Sequence, residues 1–421
     1  MHRVIAAFVA VASCASIAPA QTAASPPPSA GPILTLERAL ALANVVSPAH
    51  AAGAAAVRAA GAARVVAGLR PNPSIVVETE NVAGSGAYRG VRSAETTAGL
   101  ALPIELGGKR SARIAVADAQ SRRARVEAEI LAADAALAVR QAYIEAVSAD
   151  RRLAVMRDQA AIAAEASRAA RVRVTGGAAS PIDQQRAEVL RINAQTALDR
   201  ARRLTETARA NLARLIGQPV DGPLDAAWFD HIPGAGPVLP LAADGTLALA
   251  AATADARTAD AQVRLARAQR LPDVTLSASG RRLAATNDVA AVFGVSVPFP
   301  LFDNGAAAVG QARAQHAQAE ALRRMALRDA ERAIAEARAA LANAAESARA
   351  AGGPLLAAAL EAARIARLGY AQGKFGQLEL LQAEHMLAQT RADATDALAA
   401  YHDAQARLIR LTSPAPDLAG R

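Results

Sequence analysis

The chain of 421 residues holds one cysteine, Cys14. With no second thiol it cannot close a disulfide on itself, so the fold must rest on packing. Aromatic residues make up only 3%, although 52% of the chain is hydrophobic. The difference is alanine. This excludes a large core of bulky side chains and suits long helices that approach closely. Lysine is almost missing. Lys109 and Lys374 stand alone, so the net charge of +9 is carried by arginine. The arginines alternate with acids and form no block, which describes solvated helix faces rather than a nucleic-acid surface. Beyond the N-terminal segment, no run approaches the roughly 18 apolar residues of a membrane-spanning helix. The histidines (His2, His50, His231, His316, His385 and His402) form no helical i, i+4 pair. Cys-x-x-Cys, phosphate-loop and His-Glu-x-x-His patterns are missing too. These gaps argue against an enzyme, a resident cofactor and a dedicated transition-metal site.

The N-terminus reads as a targeting segment rather than as fold. Met1-His2-Arg3 is basic, Val4 opens an apolar run, and Ala18-Pro19-Ala20 is a small-residue cleavage pattern. Residues 1–20 are therefore a secretory signal peptide. Val11-Ala12-Ser13-Cys14 offers the alternative of a bacterial lipoprotein box. Residues 21–32, rich in Pro, Ser and Ala, form a flexible leader. An exported chain without a spanning helix is periplasmic, secreted, or an outer-membrane β-barrel.

The rest of the chain repeats itself. Gly177-x5-Asp183-x3-Ala187-Glu188 returns as Gly373-x5-Glu379-x3-Ala383-Glu384, and Leu212 and Leu215 return as Leu408 and Leu411. Such a period is too long for a solenoid unit and marks a duplicated half-molecule. The first repeat spans 33–217, with helices over 35–69 (broken at Ser47-Pro48), 108–174 and 180–216, and strands over 73–82 and 95–106. A Pro- and Gly-rich segment at 218–243, holding the only Trp, Trp228, lies against the wall as a collar. The second repeat spans 244–412, with helices over 244–270, 305–372 and 376–412, and strands over 272–280 and 289–301; a tail covers 413–421. The strands alternate. Ile75, Val77 and Thr79 share a face opposite Val76, Glu78 and Glu80, and Phe293 and Val295 oppose Val292 and Gly294. Pro103 and Pro298 sit in matching frames and should bend strands into helices.

Helix 108–174 would be roughly 100 Å long, and 48–69 plus 180–216 laid end to end nearly equal it. Seven-residue steps such as Leu380, Leu387, Ala394, Tyr401 and Leu408 point to coiled packing. These lengths fit the wall of a tube. Four membrane-type strands cannot close a barrel, whose smallest forms have about eight. An open sheet edge is not tolerated in lipid, so several copies must share one barrel. The fold class is thus mainly α with a small β part.

The chain resembles the TolC-like outer-membrane factors over essentially its whole mature length. Within them Arg70-Pro71-Asn72-Pro73, Glu78-Thr79-Glu80-Asn81 and Leu102-Pro103-Ile104-Glu105-Leu106-Gly107-Gly108-Lys109-Arg110 resemble the CzcC-like branch. The resemblance implies an outer-membrane homotrimer whose twelve-stranded β-barrel continues as a periplasmic α-barrel. It implies a passive conduit in a tripartite efflux system, with a periplasmic membrane-fusion adaptor and an inner-membrane RND pump as partners, outer-membrane lipid around it and heavy-metal cations as cargo. Drug efflux and type I protein secretion are alternatives on the same fold, and a periplasmic coiled-coil adaptor is an alternative of another class.

By resemblance, the two helix turns form the periplasmic tip. Asp183 and Tyr370 are implied as a latch, with Lys374 and Glu379 beside them at the aperture. Phe375 takes the position of the family's arginine, and Gln382 that of a second acid. Gly176, Gly177 and Ser180, with Gly373, Phe375 and Gly376, are the candidate adaptor contacts. On the residues alone, Gly177 and Gly373 end helices in the left-handed conformation, Ser180 caps and Asp183 and Glu379 complement helix dipoles.

Overall fold

The computed structural model describes residues 33–233 and 243–416. The signal peptide, the leader, Cys14, part of the collar segment and the end of the tail lie outside the described residues.

The chain opens with α1 (Leu36–Val46), capped by the Thr35 hydroxyl, which accepts from Arg38 N. Ser47 is extended, and α2 (Pro48–Ala67) starts on Pro48, where the missing N–H costs nothing. Strands β1 (Ser74–Glu80) and β2 (Glu95–Ile104) follow, then α3 (Lys109–Thr175) and α4 (Pro181–Ile216). The second half repeats the order with α5 (Leu247–Gln269), β3 (Val274–Leu283), β4 (Val289–Ser296), α6 (Ala306–Ala350), α7 (Leu356–Ala371) and α8 (Gln377–Leu411). No described helix is by itself long and apolar enough to cross a membrane.

Three elements differ from the sequence expectation. β3 runs to Leu283, past the expected end at Gly280, because its pairing with β2 continues to Glu95. β4 ends at Ser296, the last residue paired to β3, opposite Thr275. Pro298 and Pro300 follow and have no N–H to extend the ladder. The helix expected over 305–372 is interrupted by a π turn, Ala351–Leu355, which contains Pro354. Proline removes a donor and crowds the preceding turn, and the wider π turn absorbs it without breaking the rod.

All four strands join one antiparallel sheet in the order β1-β2-β3-β4. The two hairpins meet at β2 and β3, where Leu100 faces Ala278 and Leu102 faces Leu276. β1 and β4 are left as free edges. The register gathers Ile75, Val77, Leu100, Leu276, Phe293 and Val295 onto one exposed apolar face.

The helices form a wall. α3 runs its length with α2 and then α4 along one side, and α5 and then α8 along the other. α6 and α7 lie beyond α5 and α8. Two short helices in line thus match one long one, as a wall of even height needs. A ladder of polar contacts runs down the seam between the halves: Arg123–Asp255 at 2.9 Å, Gln141 Nε2 to Asp403 Oδ1 at 2.7 Å, and Gln377 Nε2 to the Ala166 carbonyl at 2.7 Å.

The main core is a collar at mid-height. Val139, Tyr143, Val147, Leu212, Ile216, Phe229, Leu398 and Tyr401 are buried there. The scarce aromatics concentrate in it. Trp228 lies 6.1 Å from Tyr143, 5.5 Å from Phe229 and 4.4 Å from His402, ring centre to ring centre. The Tyr143 hydroxyl is 2.6 Å from the Leu34 carbonyl oxygen and 3.0 Å from that of Asp225, and burial pushes its pKa up to about 12. Burial also lowers the pKa of His402, whose neutral ring donates Nε2–H to the Phe229 carbonyl at 2.9 Å.

Candidate functional site

At one end of the molecule, alternation splits the sheet into two chemical faces. Opposite the apolar face lie Glu78, Glu80, Glu95, Thr97, Ser277, Ser279 and Arg281. Arg281 organises them. Its guanidinium donates to Thr97 Oγ1 at 3.0 Å and to Glu95 Oε2 at 2.9 Å, and lies 3.3 Å from Glu80 Oε2. Glu78 has no ion pair among the described residues. This face suits water and passing ions, and the other suits hydrocarbon.

Strand and tube are joined by a polar clamp. Pro103 stands inside β2, opposite Thr275, and the chain turns after it at Gly107 and Gly108, with φ of +70° and +71°. A Cβ on Gly107 would come within 2.9 Å of the Ala268 carbonyl oxygen, so the position requires glycine on both counts. Glu105 pairs with Arg113, which also donates to the Leu69 carbonyl at the end of α2. Lys109 Nζ lies 2.7 Å from Asp273 Oδ1, and the same oxygen accepts from Leu106 N. The Leu-Pro-Ile-Glu-Leu-Gly-Gly-Lys-Arg run is therefore a joint that ties β2, α2, α3 and β3 together. In the second half the turn falls at Gly305, φ +72°, with Asp303 and Asn304 accepting from the N–H groups of Gly305 and Ala306. Pro298 lies exposed beyond the end of β4, several residues before that turn.

At the other end are the two hairpin turns. Gly177 has φ +72°, and Ala178 N donates to the Arg173 carbonyl at 2.8 Å, closing α3. Ser180 Oγ accepts from Ile182 N at 3.4 Å, so Ser180 caps α4, and Gly176 precedes the turn. Asp183 is half-exposed, with its carboxylate 3.9 Å from Arg186 of its own helix. In the second turn Gly373 has φ +69°, and Lys374 N donates to the Gly369 carbonyl at 2.8 Å. The Phe375 ring lies on Gly369, where a Cβ would run into it. Gly376 precedes α8, and the Glu379 carboxylate folds back over it, 2.7 Å from where a Cβ would sit. Lys374 and Glu379 are exposed and form no ion pair among the described residues.

Tyr370 and Asp183 are not brought together. Tyr370 lies on α7 and Asp183 on α4, with α8 and α3 between those helices in the wall. Among the described residues no hydrogen bond links them.

A pair of acids just above the turns carries more interaction than the expected latch. Glu188 accepts from Ser167 Oγ at 2.9 Å and from Arg191 Nη2 at 2.7 Å, and these bonds hold its pKa down to about 2. Its repeat partner Glu384 is buried and paired by Nε and Nη2 of the Arg367 guanidinium. Arg171 and Arg367 occupy the same place in the repeat, and Arg171 also bears on Glu188 electrostatically. Sequence reasoning found both glutamates in the repeat but gave them no role; the arginines recurring at the same shift were the available signal. Among the described residues, no group of three or more His, Cys, Asp or Glu could hold a metal ion.

A tube-length helical wall ending in a four-stranded sheet with one apolar face defines an outer-membrane channel protomer. The same fold occurs in a membrane protein from Pseudomonas aeruginosa, at TM-score 0.73 and 22% identity over 92% of this chain and 91% of that one. It occurs also in the outer membrane protein VceC of Vibrio cholerae, at TM-score 0.73 and 19% identity over 90% and 96%. Residues 39–218 and 238–413 match the outer membrane efflux protein family, and the chain belongs to it. It is 30% identical to the cobalt-zinc-cadmium resistance protein CzcC of Cupriavidus metallidurans over 92% of this chain and 91% of the relative. It is 33% identical to the nickel and cobalt resistance protein CnrC of the same organism over 68% and 67%.

Proposed function

We propose that three copies of this chain form a passive outer-membrane channel that exports divalent heavy-metal cations. The observation that carries the channel is the sheet with two free edges and one apolar face. Unpaired strand edges do not persist in hydrocarbon, and a closed barrel needs about eight strands or more. Three four-stranded sheets meet that need. The polar face, with Glu78, Glu80, Glu95 and Arg281, then lines the pore, and the helical wall continues it into the periplasm.

The tip turns are the docking end for a periplasmic membrane-fusion adaptor and, through it, an inner-membrane RND pump. Gly176, Gly177, Ser180, Gly373, Phe375 and Gly376 supply the adaptor contact, and Lys374 and Glu379 line the aperture. A Tyr370–Asp183 contact belongs to a contracted tip, in which α7 swings toward the start of α4. Asp183→Ala should then raise single-channel conductance in planar bilayers, and an unchanged conductance removes the latch.

Metal cargo is supported by the relatives, whose names state resistance to cobalt, zinc, cadmium and nickel. Selection among ions belongs to the pump. The test is a metal-by-metal tolerance profile of a deletion strain. Lost tolerance to divalent metals with unchanged drug tolerance and protein secretion supports the proposal; lost drug tolerance alone overturns the cargo.

A further inference from the structure

Most of the chain's few large aromatics fall in two places, with Tyr370 and Phe375 at the tip among the exceptions. One is the collar. The other is the stretch from Phe293 to Phe302, which holds three of the six phenylalanines. Phe293 lies on the apolar sheet face opposite Ala278. Phe299 and Phe302 come after the end of β4, at 84% and 98% exposure, with Leu301 between them at 69%. The matching stretch of the first half is built differently. There Glu105 is clamped by Arg113, and Leu106 N is bonded to Asp273.

We propose that 297–302 is a membrane anchor, with Phe299 and Phe302 seated among phospholipid acyl chains at the headgroup boundary on the tube side of the bilayer. This rests on the reading of the chain as an outer-membrane channel. Three observations select lipid as the occupant. The segment follows directly on the strand that carries Phe293 and Val295 on its exposed apolar face, and Val297, Phe299, Leu301 and Phe302 are themselves exposed. Aromatic rings favour that depth in membrane barrels. Its backbone also suits an unpaired stretch there. Pro298 and Pro300 carry no N–H, so fewer donors are left unsatisfied near hydrocarbon.

A second copy is the other possible cover, and the prolines weigh against it. The free edge of β4 would take β1 of the next copy, which starts at Ser74 after Pro71 and Pro73. Pro298 and Pro300, with Pro71 and Pro73 of the next copy, remove four backbone donors from the two segments that would have to pair beyond Ser296, which weakens any such pairing.

The test uses the full-length mature trimer with Phe299→Trp or Phe302→Trp in phospholipid vesicles. Both sites are exposed, so the larger ring has room. Acyl chains brominated near the headgroup should cut the added emission about two-fold or more, and chains brominated near their ends should cut it less. The emission of Trp228, measured in the parent protein, should not change, since Trp228 lies in the collar. Added emission that resists brominated lipid but yields to aqueous acrylamide places the segment in water and overturns the anchor. Emission that resists both means a second copy covers it and overturns it too. Heat-modifiable trimers in the outer-membrane fraction keep the channel reading apart: trimers without lipid quenching sink the anchor alone, and no trimers sink the channel.

Discussion

Single side chains in this protein act mostly by holding one charge or one hydroxyl among fixed partners. Glu188 is the clearest case. Its pKa is held near 2 by Arg191 and Ser167, against about 4.3 in an unfolded chain. A depressed carboxylate pKa adds stability that is present above the unfolded value and lost as pH falls through the folded one. Glu188→Gln should therefore lower the melting temperature of the trimer at pH 5, and the gap from the parent should close as pH falls toward 2. Tyr143 is a second case. Its hydroxyl meets the carbonyls of Leu34 and Asp225, which also accept from Asp225 N and from Trp228 Nε1 respectively. Tyr143→Phe leaves neither carbonyl bare and should cost only about 1 kcal/mol in thermal denaturation. Arg281 acts through charge. Arg281→Ala leaves Glu80 and Glu95 without their shared cation, and reversal potentials in a salt gradient should shift toward greater cation preference.

Among the elements, the helices and the faces of the strands were legible, and the interruptions were not. The caps Thr35 and Ser180 and the helix starts Pro48 and Pro181 act as their residue types require. The strand faces followed from alternation alone, because a period of two leaves no choice once one face is apolar. The early end of β4 and the π turn at Pro354 were missed. Each depends on which donors have partners, and a run of apolar or alanine-rich sequence does not record that. The glycine turns provide a direct test. Nothing lies within 4 Å of a Cβ on Gly177 or Gly373, yet both have positive φ. Gly177→Ala and Gly373→Ala should each cost roughly 1 kcal/mol by backbone strain alone. Gly369→Ala should do more than cost stability: it must displace the Phe375 ring, so crosslinking from the tip to an adaptor should weaken while the barrel is unchanged.

At the scale of the whole molecule, a single chain leaves two sheet edges free, and the proposed channel closes them between copies. β1 and β4 carry unpaired backbone, and α4 and α7 sit at the two margins of the tube-end wall. Cysteines at Ile75 and Val295, one on each free edge, should form disulfides between chains only when both are present. The check is a ladder of crosslinked dimers and trimers on non-reducing gels, in a protein whose sole native cysteine is Cys14. Monomers alone would refute closure between β1 and β4.

The sequence by itself determined the duplicated plan, the length of the tube wall, the two faces of each strand and the glycine turns. Those depend on residue spacing and local backbone preference, and both are written along the chain. Only the tertiary structure decided which strands are neighbours and which margins stay free. It also decided that scattered Tyr143, Trp228, Phe229 and His402 make one collar, and that Glu188 and Glu384 rather than Asp183 carry the strongest pairing near the tip. Such contacts join residues far apart in sequence, and only the packed backbone determines which of many possible partners each charge or ring meets.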